Sequence, residues 1–244
     1  MSDTRTIFEM GLLEYARTPL LLVLLVFLPG YFILVFAWVM PDSPMPITVP
    51  GSGVMQVSVK SVTAVLMAPL ATALVGGVAG LFMMQSSRDA DARLHLVGAN
   101  VAELLLARLG LIAVSAVIAT LISTAVLSVT HVPERIGWFV VAIVTIGLEY
   151  GGIGALIGLV FGRLAGVYVL LFGPLLDIFL AQSPLVEESH AVAPYLPGHF
   201  PMKVVFDAAY TGGVEETNLW LGLGYLLLVG LVVGVAIYRT LEVE

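Results

Sequence analysis

The sequence contains no cysteine, which excludes disulfides, thiolate metal sites and cysteine nucleophiles. Charge is scarce as well. Only 11% of the 244 residues are Asp, Glu, Lys or Arg, against about 25% in a soluble domain, too few to cover a surface that faces water all round. Cationic residues are scarcer still: 10 Lys and Arg stand against 17 Asp and Glu, leaving no basic footprint for a nucleic-acid backbone. Catalytic signatures are missing too. There is no G-x-x-x-x-G-K-S/T phosphate loop, no H-E-x-x-H and no serine in a G-x-S-x-G elbow. The histidines (His95, His131, His190, His199) are scattered outside the apolar stretches, which argues against an intramembrane metal site or a Ser/His protease. A soluble enzyme, a disordered regulator and a nucleic-acid binder are therefore excluded.

What is abundant is apolar length: 59% of the residues are hydrophobic. A helix needs roughly 20 apolar residues to cross the hydrocarbon core, and six stretches meet or approach that, at 20–40, 61–84, 107–129, 136–161, 164–182 and 219–239. The first carries no charge, is longer than the core of a cleaved leader, and reads as a retained span. The fourth and fifth are separated only around Gly162-Arg163, which predicts a tight hairpin. The expected fold is an all-α integral membrane protein, residues 1–244 forming one transmembrane domain. Orientation follows from Lys and Arg. With the N-terminus inside, the inner side holds Arg5, Arg17, Arg88, Arg93, Arg108, Arg163 and Arg239, and the outer side only Lys60, Arg135 and Lys203. Both termini are expected in the cytoplasm.

Three segments are not spans. Residues 4–17 have helical periodicity, with Ile7, Gly11 and Tyr15 on one face beside Phe8 and Leu12, and suit a helix lying in the membrane interface. Residues 85–106 form the most charged inner stretch, with Asp89 and Arg93 at i,i+4, and predict a short helix across the cytoplasmic surface. Residues 183–218 are broken by Pro184, Pro194, Pro197 and Pro201 yet keep apolar runs, and predict one or two short outer helices packed against protein. The Gly51-Ser52-Gly53 triplet in the Pro-rich outer loop before span two reads as a flexible turn.

Glycine and buried charge add detail. Gly154, Gly158 and Gly162 are spaced by four, as are Gly76 with Gly80 and Gly230 with Gly234, a spacing that lets helices approach closely and favours packing within the bundle over a dimer seam. Pro29-Gly30, Pro69 and Gly173-Pro174 interrupt spans one, two and five and predict kinks or hinges. Two acids lie at membrane depth. Glu149 falls near the middle of span four, where an ionised carboxylate costs several kcal/mol unless paired, hydrated or protonated. It is either a functional intramembrane group or a structural hydrogen-bonding one, partnered by Tyr150 or a Ser/Thr of span three. Asp177 lies toward the outer end of span five and is expected to face interfacial water.

Taken together, the chain resembles the transmembrane subunit of an ABC-2 type ABC transporter along almost all its length. The N-terminal helix followed by Arg17-Thr18-Pro19, a Leu-rich span and Pro29 is similar to that family's elbow helix and first span. Ser87-Arg88-Asp89 through Arg93-Leu94, then Leu104-Leu105-Leu106-Ala107-Arg108, resembles its first cytoplasmic loop, although the Glu-rich run with Gly-Thr is missing. Tyr195-Leu196-Pro197 and Phe206-Asp207-Ala208 resemble the short re-entrant helices before the last span. The resemblance implies an exporter permease in the plasma membrane, paired with a second permease subunit as a homo- or heterodimer among membrane lipids. It implies separate ATPase subunits carrying ATP and Mg, with no cofactor and no enzymatic activity in this chain. It also implies a coupling helix in 85–106, with Arg88, Asp89, Asp91, Arg93 and His95 touching the ATPase, Arg5 and Glu9 as secondary contacts, and spans one, two and five lining the dimer pathway. The residues alone also admit a six-span ion-coupled transporter or channel using Glu149, and an assembly factor without transport.

Overall fold

The computed structural model describes residues 8–13, 17, 19–49, 53–96, 101–185 and 191–243, with the backbone alone for 20, 21, 49, 87–96, 101–105 and 240–243. After a helical segment at 8–13 (α1) come α2 (Pro19–Val39), a hairpin of β1 (Pro44–Val49) and β2 (Gly53–Ser58), then α3 (Val59–Leu96) and α4 (Val101–Leu127). They are followed by α5 (Ile136–Val160), α6 (Arg163–Pro174) continuing as a π-helix over Leu175–Ala181, a short turn of 3₁₀-helix at Ala193–Tyr195, α7 (His199–Tyr210) and α8 (Glu216–Val243). Among the described residues, six helices are long and apolar enough to cross a membrane, as a multi-pass membrane protein requires.

α3 is the axis of the molecule. Its span from Val59 to Ser86 is enclosed by α2, α4, α5, α6 and α7, and Val62, Ala64, Val65, Leu66, Ala68 and Leu81 are wholly buried. Lipid offers apolar side chains no less apolar a home, so close packing rather than water exclusion has to hold such helices together. Glycines provide it at the α3–α5 crossing. A Cβ at Gly76 would strike the carbonyl oxygen of Gly147, one at Gly80 that of Gly151, and one at Gly154 that of Gly77. The backbones meet directly. The packing expected of Gly76, Gly80, Gly154 and Gly158 is intramolecular, whereas Gly162, Gly230 and Gly234 have nothing within 4 Å of the position of a Cβ and take no part in it.

Three segments differ from the sequence-based expectation. The Pro-rich loop before α3, in which the sequence predicts only a flexible turn, is an antiparallel hairpin that pairs Met45 with Val57 and Ile47 with Met55. These four side chains turn inward, and Ile47 is only 2% exposed, while Pro46, Thr48, Val54 and Gln56 face out. The period-two alternation was present in the sequence, but the prolines masked it; they are tolerated because both strands are edges. Secondly, residues 85–96 are not a separate helix lying across a surface: α3 runs on without a break to Leu96, a rod of roughly 57 Å at 1.5 Å per residue. Thirdly, span two is the enclosed centre of the fold, so it lines no open face of this chain; the largely uncovered helices are α2, α6 and α8.

The remaining expectations are met in part. α1 lies against α4, with the Phe8 ring over Gly110 and Gly11 against Leu111. Among its described residues, the stretch 183–218 supplies one 3₁₀ turn and α7, of which Met202 and Val204 through Tyr210 are buried. Pro29 and Pro69 sit inside unbroken helices. At Pro174, by contrast, a proline gives no N–H to a preceding carbonyl and crowds it, and the helix widens into π geometry from Leu175.

Candidate functional site

The polar groups concentrate where α5, the π-helix and the start of α7 meet. Tyr150 donates its hydroxyl to Asp177 Oδ2 at 2.7 Å. The backbone N–H of Gly198 donates to the same oxygen, also at 2.7 Å. Gln182 Nε2 donates to Asp177 Oδ1 and to the Ala193 carbonyl, both at 3.1 Å, and Gln182 Oε1 lies 3.0 Å from His199 Nδ1. With the amide nitrogen acting as the donor on one side, the amide oxygen must accept, so His199 donates from Nδ1.

Two local reasons explain this assembly. α7 has no capping side chain of its own, because residue 198 is glycine. The first N–H groups of a helix have no intrahelical acceptor and favour negative charge beside them. The Asp177 carboxylate supplies both from another element. The glycine is required for a second reason: a Cβ at Gly198 would stand 2.8 Å from Asp177 Oδ2. The expectation that Asp177 faces interfacial water is thereby corrected; it is 2% exposed and fully engaged.

Glu149 behaves differently. It is 0% exposed, and neither carboxyl oxygen has a hydrogen-bond partner among the described residues. Tyr150 is no partner for it, since neighbours in a helix point about 100° apart and Tyr150 is turned to Asp177. No span-three hydroxyl reaches it either: Ser115 and Thr120 donate back to the carbonyls of Leu111 and Ala116, and Ser123 pairs with Thr72 of α3. Gly152, three residues on and on the same face, packs against Val229 and Val233 of α8. The carboxyl thus lies at the α5–α8 contact, with Asp177 and Tyr225 as electrostatic neighbours.

A second set of contacts anchors the other end of α7. Arg135 N donates to the Ala208 carbonyl at 2.9 Å, and its guanidinium Nε to Gly212 at 2.9 Å. His131 Nε2 meets the Ala209 carbonyl at 3.0 Å, its ring 4.9 Å from that of Tyr210, and Tyr210 shares a hydrogen bond with Ser61 at 3.1 Å. Donors gather at a helix C-terminus because its last carbonyls are unpaired and carry partial negative charge. Asp207 is buried with Oδ1 unpartnered among the described residues and Oδ2 3.3 Å from the Glu215 N–H. Burial pushes its carboxyl above the usual range, and burial together with Lys203 holds His199 below the usual imidazole range.

The residues expected to touch a partner ATPase sit at the opposite end. Arg88, Asp89, Asp91, Arg93 and His95 all lie on the last turns of α3, where only the backbone is described. Glu9 is exposed on α1, and Arg5 lies outside the described residues. Nearby, α3 is tied to the α5–α6 turn: Gln85 donates to the Phe161 carbonyl at 2.9 Å, and the Arg163 guanidinium stands 4.5 Å over the Phe82 ring. Tyr150, Gln182, Gly198 and His199 were not singled out as a group from sequence. Their separation along the chain hides the cluster, and the one legible signal was Tyr150 beside an intramembrane acid. Among the described residues, no group of three His, Cys, Asp or Glu is placed to hold a metal. No protein-family model matches the chain, and no curated protein matches it.

Proposed function

We propose that this chain is the membrane-spanning permease subunit of an ABC-2 type ABC transporter, an exporter acting as a dimer and driven by separate ATPase subunits. The observation that supports this reading best is the continuity of α3. One unbroken helix carries the charged run from Arg88 to His95 and, further along, the glycines whose backbone touches α5. A force applied at residues 88–95 is therefore delivered to the centre of the bundle rather than absorbed in a loop. The Gln85–Phe161 and Arg163–Phe82 contacts extend that path to α6.

In this reading the partner ATPases hold ATP and Mg, and the chain's inner end, with both termini, faces the cytoplasm of a plasma-membrane transporter. Residues 88–95 serve as the coupling segment, α1 as the interfacial elbow, and α7 with the Ala193–Tyr195 turn as the outer re-entrant unit. ATP binding by the partner moves substrate only because the nucleotide discriminates between inward- and outward-open states and shifts their populations. In this reading the largely uncovered α2 and α6 line the pathway, and α3 acts as the lever behind it.

The test is to purify the tagged chain from its native membrane, identify an associated ATP-hydrolysing subunit, and reconstitute the pair. Arg93→Glu is expected to lower substrate-stimulated ATPase activity while insertion and melting stay as in the unaltered chain. Unchanged stimulation removes Arg93 from the interface, and absence of any ATPase partner removes the reading. A second reading, a six-span ion-coupled transporter, is favoured by the unpartnered Glu149 carboxyl. Transport driven by a proton gradient without an ATPase, losing its pH dependence in Glu149→Gln, selects that alternative.

A further inference from the structure

A polar cavity of about 370 Å³ opens at the hairpin end of the bundle, lined by Asp42, Ser58, Lys60, Ser61, Thr130 and His131 with Val129 at its edge. Its volume falls in the range of small-ligand clefts, roughly 300–1,000 Å³. It sits at the start of α3 and the end of α4, between the open end of the hairpin and the α4–α5 turn. We infer that this cavity binds a zwitterion bearing a primary ammonium and an anionic group, of the phosphoethanolamine kind. The inference does not depend on the transporter reading.

Two charges here are not used by the fold among the described residues. Asp42 and Lys60 line the same cavity, yet neither has an ion-pair or hydrogen-bond partner among the described residues through its side chain. The Lys60 side chain is half-buried all the same. The cavity therefore offers one negative and one positive group to whatever enters. His131 adds direction. Its Nε2 is committed to the Ala209 carbonyl, which leaves only Nδ1 for a ligand. The Asp42 carboxylate calls for a ligand with N–H donors. Lys60 calls for an anion, helped by the hydroxyl of Thr130.

Other ligands fit less well. A divalent cation would meet a single carboxylate and a repelling ammonium, and no set of three metal-ligating side chains is present among the described residues. A simple anion held by the α3 N-terminus is disfavoured because the first N–H groups there are spent: Val59 N donates to Ser43 O, Lys60 N to Pro41 O and Ser61 N to Ser58 Oγ. A choline group carries full positive charge but no N–H, so it would leave the Asp42 carboxylate without a hydrogen-bond donor. The same chemistry can arrive as a lipid headgroup or as a free solute.

The full chain in phosphatidylcholine nanodiscs is titrated with O-phosphoethanolamine, phosphocholine, ethanolamine and inorganic phosphate. O-phosphoethanolamine is expected to bind at least about tenfold more tightly than the other three, and Lys60→Met and Asp42→Asn should each weaken it by about tenfold or more. Melting should stay unchanged, because neither side chain is bonded to the fold among the described residues. In parallel, the chain is extracted from mixed phosphatidylethanolamine and phosphatidylcholine vesicles and its retained lipid is identified by mass spectrometry. Selective retention of phosphatidylethanolamine, lost in both variants, supports the site and names the headgroup as its source. Binding of the free compound without lipid retention supports the site and names a solute. Equal binding of amine and choline compounds, indifference to both substitutions, or no binding in either arm overturns the inference.

Discussion

Two buried acids of the same chemistry, Asp177 and Glu149, have opposite surroundings. Asp177 meets three donors and closes the N-terminus of α7, whereas Glu149 meets none among the described residues. Hydrogen bonds to a charged group contribute more than neutral ones, and a donor left unmade in a buried place costs about 1–3 kcal/mol. Asp177→Asn should therefore lower stability by about 1–3 kcal/mol and loosen the backbone around Gly198, read by thermal unfolding and by hydrogen exchange over 191–198. Asp207 gives a pH signature. Its folded pKa is raised by burial, so its contribution to stability is full below the ordinary carboxylate range and is lost as pH rises through the raised value. Asp207→Asn should melt higher than the unaltered chain at neutral pH, with the gap closing as pH falls toward about 4. A gap that widens on acidification would reverse the assignment.

Among the helices, the glycines divide into two populations with the same spacing in sequence and different surroundings in space. Gly76, Gly80 and Gly154 meet backbone oxygens of the facing helix, while Gly230 and Gly234 meet nothing. A methyl group pressed against backbone cannot be relieved by a rotamer change. Gly80→Ala and Gly154→Ala should each destabilise the bundle by about 1–3 kcal/mol. Gly230→Ala should instead leave stability unchanged or raise it by up to about 1 kcal/mol, since alanine is the better helix former. Denaturation in mild detergent distinguishes the two classes. Loss of stability in Gly230→Ala would place a partner helix on that face of α8. The hairpin teaches a related lesson: Met45, Ile47, Met55 and Val57 seal the end of the core because alternation puts them on one side.

For the whole molecule, the two apolar clusters share α3 and stack along it. One gathers hairpin, α5 and α7 residues such as Ile47, Phe139 and Val205; the other gathers α4, α5 and α8 residues such as Ile112, Ala155 and Val233. The rod joins the end with the zwitterion cavity to the end with the charged extension. The absence of native cysteine makes the topology directly measurable. Thr48→Cys in β1 and Ser86→Cys at the far end of the α3 span should fall on opposite sides of the membrane. An impermeant maleimide applied to intact cells is expected to label the first and spare the second until the cells are opened. Labelling of both, or of Ser86→Cys alone, would undo the proposed orientation.

The number of spans and nearly all their limits were legible because crossing a bilayer demands an unbroken apolar length, and length is a local property. A break at Gly173-Pro174 and close packing at glycines were legible for the same reason, although spacing alone did not tell Pro174 from Pro29 and Pro69, or Gly154 from Gly230. Partnership was not. That Tyr150 serves Asp177 and not its neighbour Glu149, that Gly198 rather than interfacial water receives that carboxylate, and that span two is the enclosed axis all depend on helices distant in sequence. An α-helix fixes the direction of each side chain but says nothing of what stands opposite, so only the packed bundle decided which polar groups are joined and which are left alone.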